Sequence, residues 1–418
     1  MRYYIFLSCL LLGAAPLATA ADLSTLRLRG TVDGPSAPAV DDEVAVASVG
    51  LRAGYDTDPT LASPARPSAY LGAEAAFAFG RSVGGVTAGM VGELSRADYG
   101  ASGIDPAEHY RLSFQLANKD DGPLALRSTT GIEETRAYDV RAFEAVQSLR
   151  ARWTGGPVQP FATAELRYAS LNETNAIFPL FLPEDERFLR GTVIPGVALK
   201  QEKAEIGASI NLSMTRYADE FDVFGFRRDN ERVQPFLFFR YGDGDFTVFA
   251  TLSQLYGYWH DPDFSDVRRM LYEVSIGKDV GPFTVDVTMK RVAADTTFPI
   301  SPLAITSLSE GRVSWPIGDN DRLTLLARDI ETEYLDSPFS ARSFTYGGGI
   351  SHALMDDLAL GFELTRTDAV TIAGDDVAAT AAVVSLTKKF GSGGATPASS
   401  LPPSAVGPRV SSRPPALP

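Results

Sequence analysis

The sequence predicts an all-β fold, a closed antiparallel up-and-down transmembrane β-barrel of about eighteen strands, with sixteen as the competing count. Three observations predict it. Segments of roughly ten residues that alternate apolar and polar recur from Val46 to Phe390, the length of a tilted membrane strand. Short links rich in glycine and aspartate alternate with longer ones, as turns at one membrane face and loops at the other require. The last run, Asp376 to Phe390, places Ala382, Val384, Leu386, Lys388 and Phe390 on one face and Ala381, Val383, Ser385, Thr387 and Lys389 on the other. Lys388 can keep its stem against an apolar surface while its ammonium snorkels to the interface.

Composition does not decide the matter. A chain of 418 residues with 44% hydrophobic content fits two soluble domains or one barrel. A mean hydropathy of -0.03 fits either as well, because a lipid face alternating with a polar lumen averages out. A formal charge of -14 argues against a nucleic-acid partner, which needs a basic stripe.

At the N-terminus, Arg2 precedes the apolar run Ile5 to Leu12, and Ala18-Thr19-Ala20 supplies small residues for cleavage. Residues 1–20 read as a secretory signal, and 21–45, which shows neither period, as a periplasmic linker. The single cysteine, Cys9, falls inside the signal, leaving no disulfide framework. Beyond it no stretch approaches the ~20 continuous apolar residues of a membrane helix. Residues 46–390 form the expected barrel. The tail 391–418, with Pro402, Pro403, Pro414 and Pro415 among serines, reads as disordered.

The strands are expected to begin near Val46, Ser68, Val86, His109, Leu124, Phe143, Val158, Leu189, Lys203, Arg232, Phe246, Arg268, Phe283, Ile305, Leu323, Arg342, Leu358 and Val377. Three show the period clearly. Ile206, Ala208, Ile210, Leu212 and Met214 oppose Glu205, Ser209, Asn211 and Ser213; Met270, Tyr272, Val274 and Ile276 oppose Arg269, Leu271, Glu273 and Ser275. Phe283, Val285, Val287 and Met289 oppose Thr284, Asp286, Thr288 and Lys290. A helix would repeat its apolar residues at three and four instead.

The links carry separate information. Asp120-Asp121-Gly122, Gly155-Gly156, Gly242-Asp243-Gly244, Gly318-Asp319-Asn320 and Met355-Asp356-Asp357 suit tight hairpins. Between them come longer segments at Asp56–Pro67, Ser170–Asp185, Tyr217–Asn230, Ala293–Pro302 and Asp368–Asp375. Both ends of an even-stranded barrel then lie in the periplasm. Leu171–Asp185, with Phe178 and Phe181 among prolines, is a candidate for a loop that folds inward. Tyr55, Trp153, Tyr168, Tyr256, Tyr258, Phe344 and Tyr346 fall near strand ends on the outward parity, where interfacial girdles sit.

The first strand ends in Gly50-x-x-x-Gly54-Tyr55-Asp56-x-x-Pro59, and the last in Val384-Ser-Leu-Thr-Lys-Lys-Phe390. This pairing resembles the β-barrel porin type 2 family of Gram-negative outer membranes over about Val44 to Phe390. The resemblance implies an outer-membrane barrel without a catalytic site, in a family linked to surface polysaccharide export. The closing strand also resembles those whose terminal aromatic is read by the barrel assembly machinery, which makes Leu386 and Phe390 the expected assembly signal.

Enzymatic chemistry has little to stand on. The three histidines, His109, His260 and His352, lie in no nucleophile motif. His260, Asp261 and Asp263 share a loop whose oxygens suit a divalent cation and equally suit a solvated turn. We expect no enzyme and no cofactor.

The functional signal lies on the inward parity. Arg111, Arg127, Arg150, Arg152 and Arg167, on consecutive strands, are expected to form one basic wall together with Glu133 and Glu165. Further inward charges include Glu74, Glu93, Glu205, Arg240, Glu273, Asp286, Lys290, Arg328 and Glu363. An arginine or lysine at mid-depth in hydrocarbon costs about 2–4 kcal/mol, so these face the lumen. Such a wall either selects polar or anionic solutes or pairs internally to fill the interior. The expected function is passive passage of small hydrophilic solutes, anionic ones among them, through a charged lumen. The alternative is a surface or export-assisting structural barrel with an occluded lumen.

Overall fold

A computed structural model of the chain describes residues 44–61, 65–101, 103–118, 122–137, 140–173, 186–296, 298, 301–372 and 374–391. The expected signal, the tail beyond 391, nearly all of the linker and most of the candidate inward loop at 171–185 lie outside these residues.

Eighteen strands follow in chain order: β1 (Val44–Asp56), β2 (Ser68–Val83), β3 (Val86–Tyr99), β4 (Ala107–Asn118), β5 (Leu124–Ala137), β6 (Val140–Trp153), β7 (Val158–Glu173), β8 (Glu186–Lys200), β9 (Ala204–Tyr217), β10 (Asn230–Gly242), β11 (Phe246–Trp259), β12 (Val267–Val280), β13 (Phe283–Ala294), β14 (Ala304–Pro316), β15 (Asp321–Tyr334), β16 (Ser340–Met355), β17 (Leu358–Val370) and β18 (Asp376–Phe390). Each pairs antiparallel with its sequence neighbours, and β1 pairs with β18, so the sheet closes on itself. Closure abolishes the free edges that an open sheet would expose.

The closing register places Tyr55 opposite Ala382, Ala53 opposite Val384, Leu51 opposite Leu386, Val49 opposite Lys388 and Ala47 opposite Phe390. The outward parities of first and last strand therefore meet. Lys388 Nζ contacts Asp357 Oδ2 in the adjacent turn, so its ammonium leaves the apolar face.

Period-two alternation sorts the side chains. Leu51, Leu71, Leu166, Leu237, Met270 and Leu325 stand exposed on the outer wall, while Arg52, Glu74, Arg167, Glu273 and Arg328 are buried on the inner one. An apolar outer surface round a polar interior inverts the order of a water-soluble protein and fits a hydrocarbon surround. Strands of 12 to 16 residues exceed the roughly 9–11 that span the hydrocarbon, so their rims project beyond it. All seven expected girdle aromatics lie on the outward parity, Trp153 at one rim and the others toward the opposite one.

The two ends differ. Links 84–85, 119–123, 154–157, 201–203, 243–245, 281–282, 317–320 and 356–357 lie at the end where β1 begins and β18 finishes. At the other end run 57–67, 174–185, 218–229, 260–266 and 295–303, with shorter connections among them, the tightest at 138–139. Apolar packing gathers at this long-loop end: Trp259, Phe264, Leu303, Ile305 and Leu335 form one cluster, and Phe298, Ala304, Tyr334 and Ile372 another.

Candidate functional site

The five predicted arginines share the inner wall, but they divide into two tiers. Toward the long-loop end they are balanced by carboxylates. Arg167 reaches Glu165 Oε1 at 3.1 Å through Nη2 and Glu144 Oε2 at 3.5 Å through Nη1. Arg111 Nη1 lies 3.6 Å from Glu93 Oε1, and Glu133 Oε1 lies 3.3 Å from His109 Nε2. Glu133 and Glu165 thus belong to this compensated tier. It resembles other interior pairs, such as Arg52 Nε with Glu74 Oε1 at 2.8 Å and Arg328 with Glu310.

Nearer the short-turn end arginines gather. Arg127 on β5 sits directly opposite Arg150 on β6. Arg152 Nη2 lies 3.0 Å from Glu205 Oε1 on β9, and its Nε donates to Gln159 Oε1 at 2.8 Å. Arg240 on β10 faces the same Glu205 across the strand pair. Arg152 and Arg240 thus share one carboxylate, with Arg150 and Arg127 on the neighbouring wall. Arg240 was legible as an inward charge, but its membership in this group was not.

Aromatic rings hold up two of these arginines. Arg150 Cζ lies 5.6 Å from the centroid of Phe161, and Arg240 Cζ 5.8 Å from that of Phe249. Phe161 lies flat against Gly196, where a Cβ would stand only 2.4 Å from Phe161 Cζ; Phe238 covers Gly207 in the same way at 2.2 Å. Glycine on the partner strand thus lets an inward phenylalanine lie along the wall. A cation over a ring face is attracted by the ring quadrupole without using its N–H donors.

The link after β13 crosses the mouth at the long-loop end. Asp295 Oδ1 accepts from Arg190 Nη2 on β8 at 2.7 Å and also from Arg232 Nη2 on β10. Arg228, from the link 218–229, donates to the carbonyls of Thr296, Phe298 and Ser301 at 2.8, 2.9 and 3.1 Å. Burial raises the Asp295 carboxyl, but the two arginines override it and hold the group well below the usual carboxylate range. Among the described residues of this link, Asp295, Thr296, Phe298 and Ser301 therefore fold inward. The sequence suggested 171–185 for that role, and the part of it beyond 173 lies outside the described residues. Arg190 and Arg232 carry the inward parity that would have flagged them; Asp295 lies in a link where no period applies.

No protein-family model and no curated protein sequence matches this chain. Solved structures of similar build include a BenF-like porin from Pseudomonas fluorescens Pf-5, 12% identical, covering 83% of this chain and 99% of that one with a TM-score of 0.45. The outer membrane protein opdK from Pseudomonas aeruginosa is 11% identical over 83% and 99%, at 0.45. The ferric enterobactin receptor PfeA from Pseudomonas aeruginosa is 8% identical over 82% and 81%, at 0.46. No cargo or residue role passes from these proteins to this chain.

The first-strand motif has a structural meaning. Gly54 lies under the ring of Tyr70, where a Cβ would meet Cε1 at 2.5 Å. Buried Asp56 accepts from the Asp58 amide at 2.9 Å, and Asp58 Oδ1 accepts from the Thr60 hydroxyl at 3.0 Å. The motif therefore builds the turn out of β1. Leu386 and Phe390 are exposed on the outer wall beside β1.

The loop acids are spent on backbone. Asp261 Oδ2 accepts from the Arg227 amide at 2.6 Å and its Oδ1 from the Asp263 amide at 2.9 Å, which is a turn geometry. Among the described residues no group of three metal-ligating side chains converges.

Proposed function

We propose that this chain is a Gram-negative outer-membrane barrel that lets small hydrophilic solutes, anions preferred, diffuse through its lumen. Its short turns and both barrel ends face the periplasm, and no cofactor or chemical step takes part. The observation that carries this reading is the short-turn tier, where Arg150, Arg152 and Arg240 outnumber Glu205. Unbalanced charge on the wall of a low-dielectric passage raises the local concentration of counter-charged solute. An eighteen-stranded barrel has the girth of those that leave an aqueous channel. Partners in this reading are outer-membrane lipid and, through Leu386 and Phe390, the assembly machinery.

The test is conductance in planar bilayers under a salt gradient. Discrete open levels with an anion-selective reversal potential are expected, and replacing Arg150 and Arg152 by alanine is expected to lower that selectivity. Unchanged reversal potentials in a conducting double variant would sink the anion preference. One observation favours the second reading, a structural barrel assisting surface polysaccharide export: the 295–303 segment crosses the mouth and is pinned by Arg190, Arg228 and Arg232. A barrel that never opens in the bilayer would support it.

A further inference from the structure

We infer that the short-turn half of the lumen holds a discrete binding station for a small multivalent oxyanion of the phosphate type, formed by Arg150, Arg152, Arg240 and Thr163. It builds on the solute-path reading, which gives the anion its access.

Donors without acceptors gather in this part of the wall. Arg240 is 7% exposed, and its Nε and Nη2 are buried with no hydrogen-bond partner; the same holds for Thr163 Oγ1, on a residue 5% exposed. Thr163 sits directly opposite Arg150 across the β6–β7 pair. Buried donors left unpaired are unfavourable, and native interiors rarely keep several of them together. A ligand that supplies acceptors accounts for the group.

The mode of support separates these arginines from their neighbours. Arg167 and Arg328 are held by carboxylates, which take up part of their donor set. Arg150 and Arg240 are held by the faces of Phe161 and Phe249, and the Phe161 ring lies against the wall at Gly196. Ring support positions a guanidinium while leaving its planar fork of donors for an incoming anion.

Charge and shape then choose the class. Arg150, Arg152 and Arg240 against Glu205 leave a surplus of two positive charges, which favours a dianion over a monovalent ion. The donors come from β6, β7 and β10, and so approach from different directions. A tetrahedral oxyanion presents acceptors in several directions, whereas a planar monocarboxylate presents two in one plane.

The test uses the full chain in detergent, titrated calorimetrically with inorganic phosphate at mildly alkaline pH, where phosphate is a dianion. Saturable binding is expected for phosphate and sulfate, and at least tenfold weaker binding for acetate. Arg150→Gln and Arg240→Gln are each expected to weaken phosphate by about tenfold or more. Arg240→Lys, which keeps the charge but not the fork, is expected to fall between, and Arg366→Gln on the outer wall to match wild type. Phosphate binding no tighter than acetate, or unchanged in both glutamine variants, overturns the station. Should a variant fail to fold, phenylglyoxal modification of wild type decides: phosphate must protect Arg150 and Arg240 and leave Arg366 reactive, and absence of protection overturns the proposal. Arginine-dependent binding in a barrel that never conducts would keep the station and remove the passage reading.

Discussion

Asp295 and Arg190 join across the mouth of the barrel: the carboxylate on the link after β13 accepts from a guanidinium on β8 at 2.7 Å, five strands away around the wall. Arg232 shares the same oxygen, so one carboxylate pins the segment to two strands. Replacing Asp295 by asparagine removes the charge and leaves two buried arginines facing each other. Breaking a buried ion pair from one side costs roughly 3–5 kcal/mol. Here the loss is expected to appear as local release of 295–303. Hydrogen exchange at the Ser301 amide, which donates to Phe298 O at 3.2 Å, is the readout. Wild-type protection in the variant would mean that the apolar packing of Phe298 and Leu303 holds the segment alone.

The same latch has a defined response to pH. The Asp295 carboxyl is lowered, burial opposing the shift and Arg190 and Arg232 producing it. A carboxyl with a depressed folded value contributes stability that is complete above its unfolded value, about 3.9, and is lost as pH falls through the depressed one. Protection of the Ser301 amide, corrected for intrinsic exchange, is therefore expected to hold from neutrality down to about pH 4 and to fall only in stronger acid. Release between pH 6 and about 4 would show that a group with a higher unfolded value and a depressed folded one, such as a histidine held neutral, governs the segment in place of Asp295.

Strand count and parity were legible because an alternating period is a local property with a global consequence: each inward residue must face one lumen. Parity gives the face of a residue and not its reach around the wall. Arg152 meets Glu205 across two intervening strands, and no local pattern records that. The inward phenylalanines were hidden for another reason. Pro235-Phe-Leu-Phe-Phe is apolar on both parities, and the cue for Phe238 is Gly207 on the neighbouring strand, visible only once the register is known. The mouth was illegible because links obey no period, and Asp295 gains its meaning from distant strands.

Close strand approach singles out one glycine for test. A Cβ at Gly347 on β16 would meet Leu364 O at 2.3 Å and Thr365 Cα at 2.8 Å, both backbone atoms of β17, which cannot yield as a flexible side chain would. At Gly311 on β14 nothing lies within 4 Å. Gly347→Ala is expected to destabilise the barrel by about 1–3 kcal/mol, the range for overpacking, while Gly311→Ala stays close to wild type. Urea unfolding from lipid vesicles compares them. Equal midpoints for the two variants would mean that β17 shifts freely, contrary to its continuous pairing with β18.

The outer wall yields the most direct test of the membrane reading. Leu237 lies midway along β10 on the outward parity and is 59% exposed, which in water would be an ordinary surface leucine. At mid-depth in hydrocarbon an arginine there costs about 2–4 kcal/mol, because its charge leaves water and finds no partner on the lipid face. Leu237→Arg is therefore expected to lower stability by that amount when the barrel is folded into lipid vesicles. A soluble surface substitution of the same kind stays within about 0.5 kcal/mol. The size of the loss thus distinguishes the two surroundings, and a change of only a few tenths would place Leu237 in water and remove the apolar belt as evidence for a membrane.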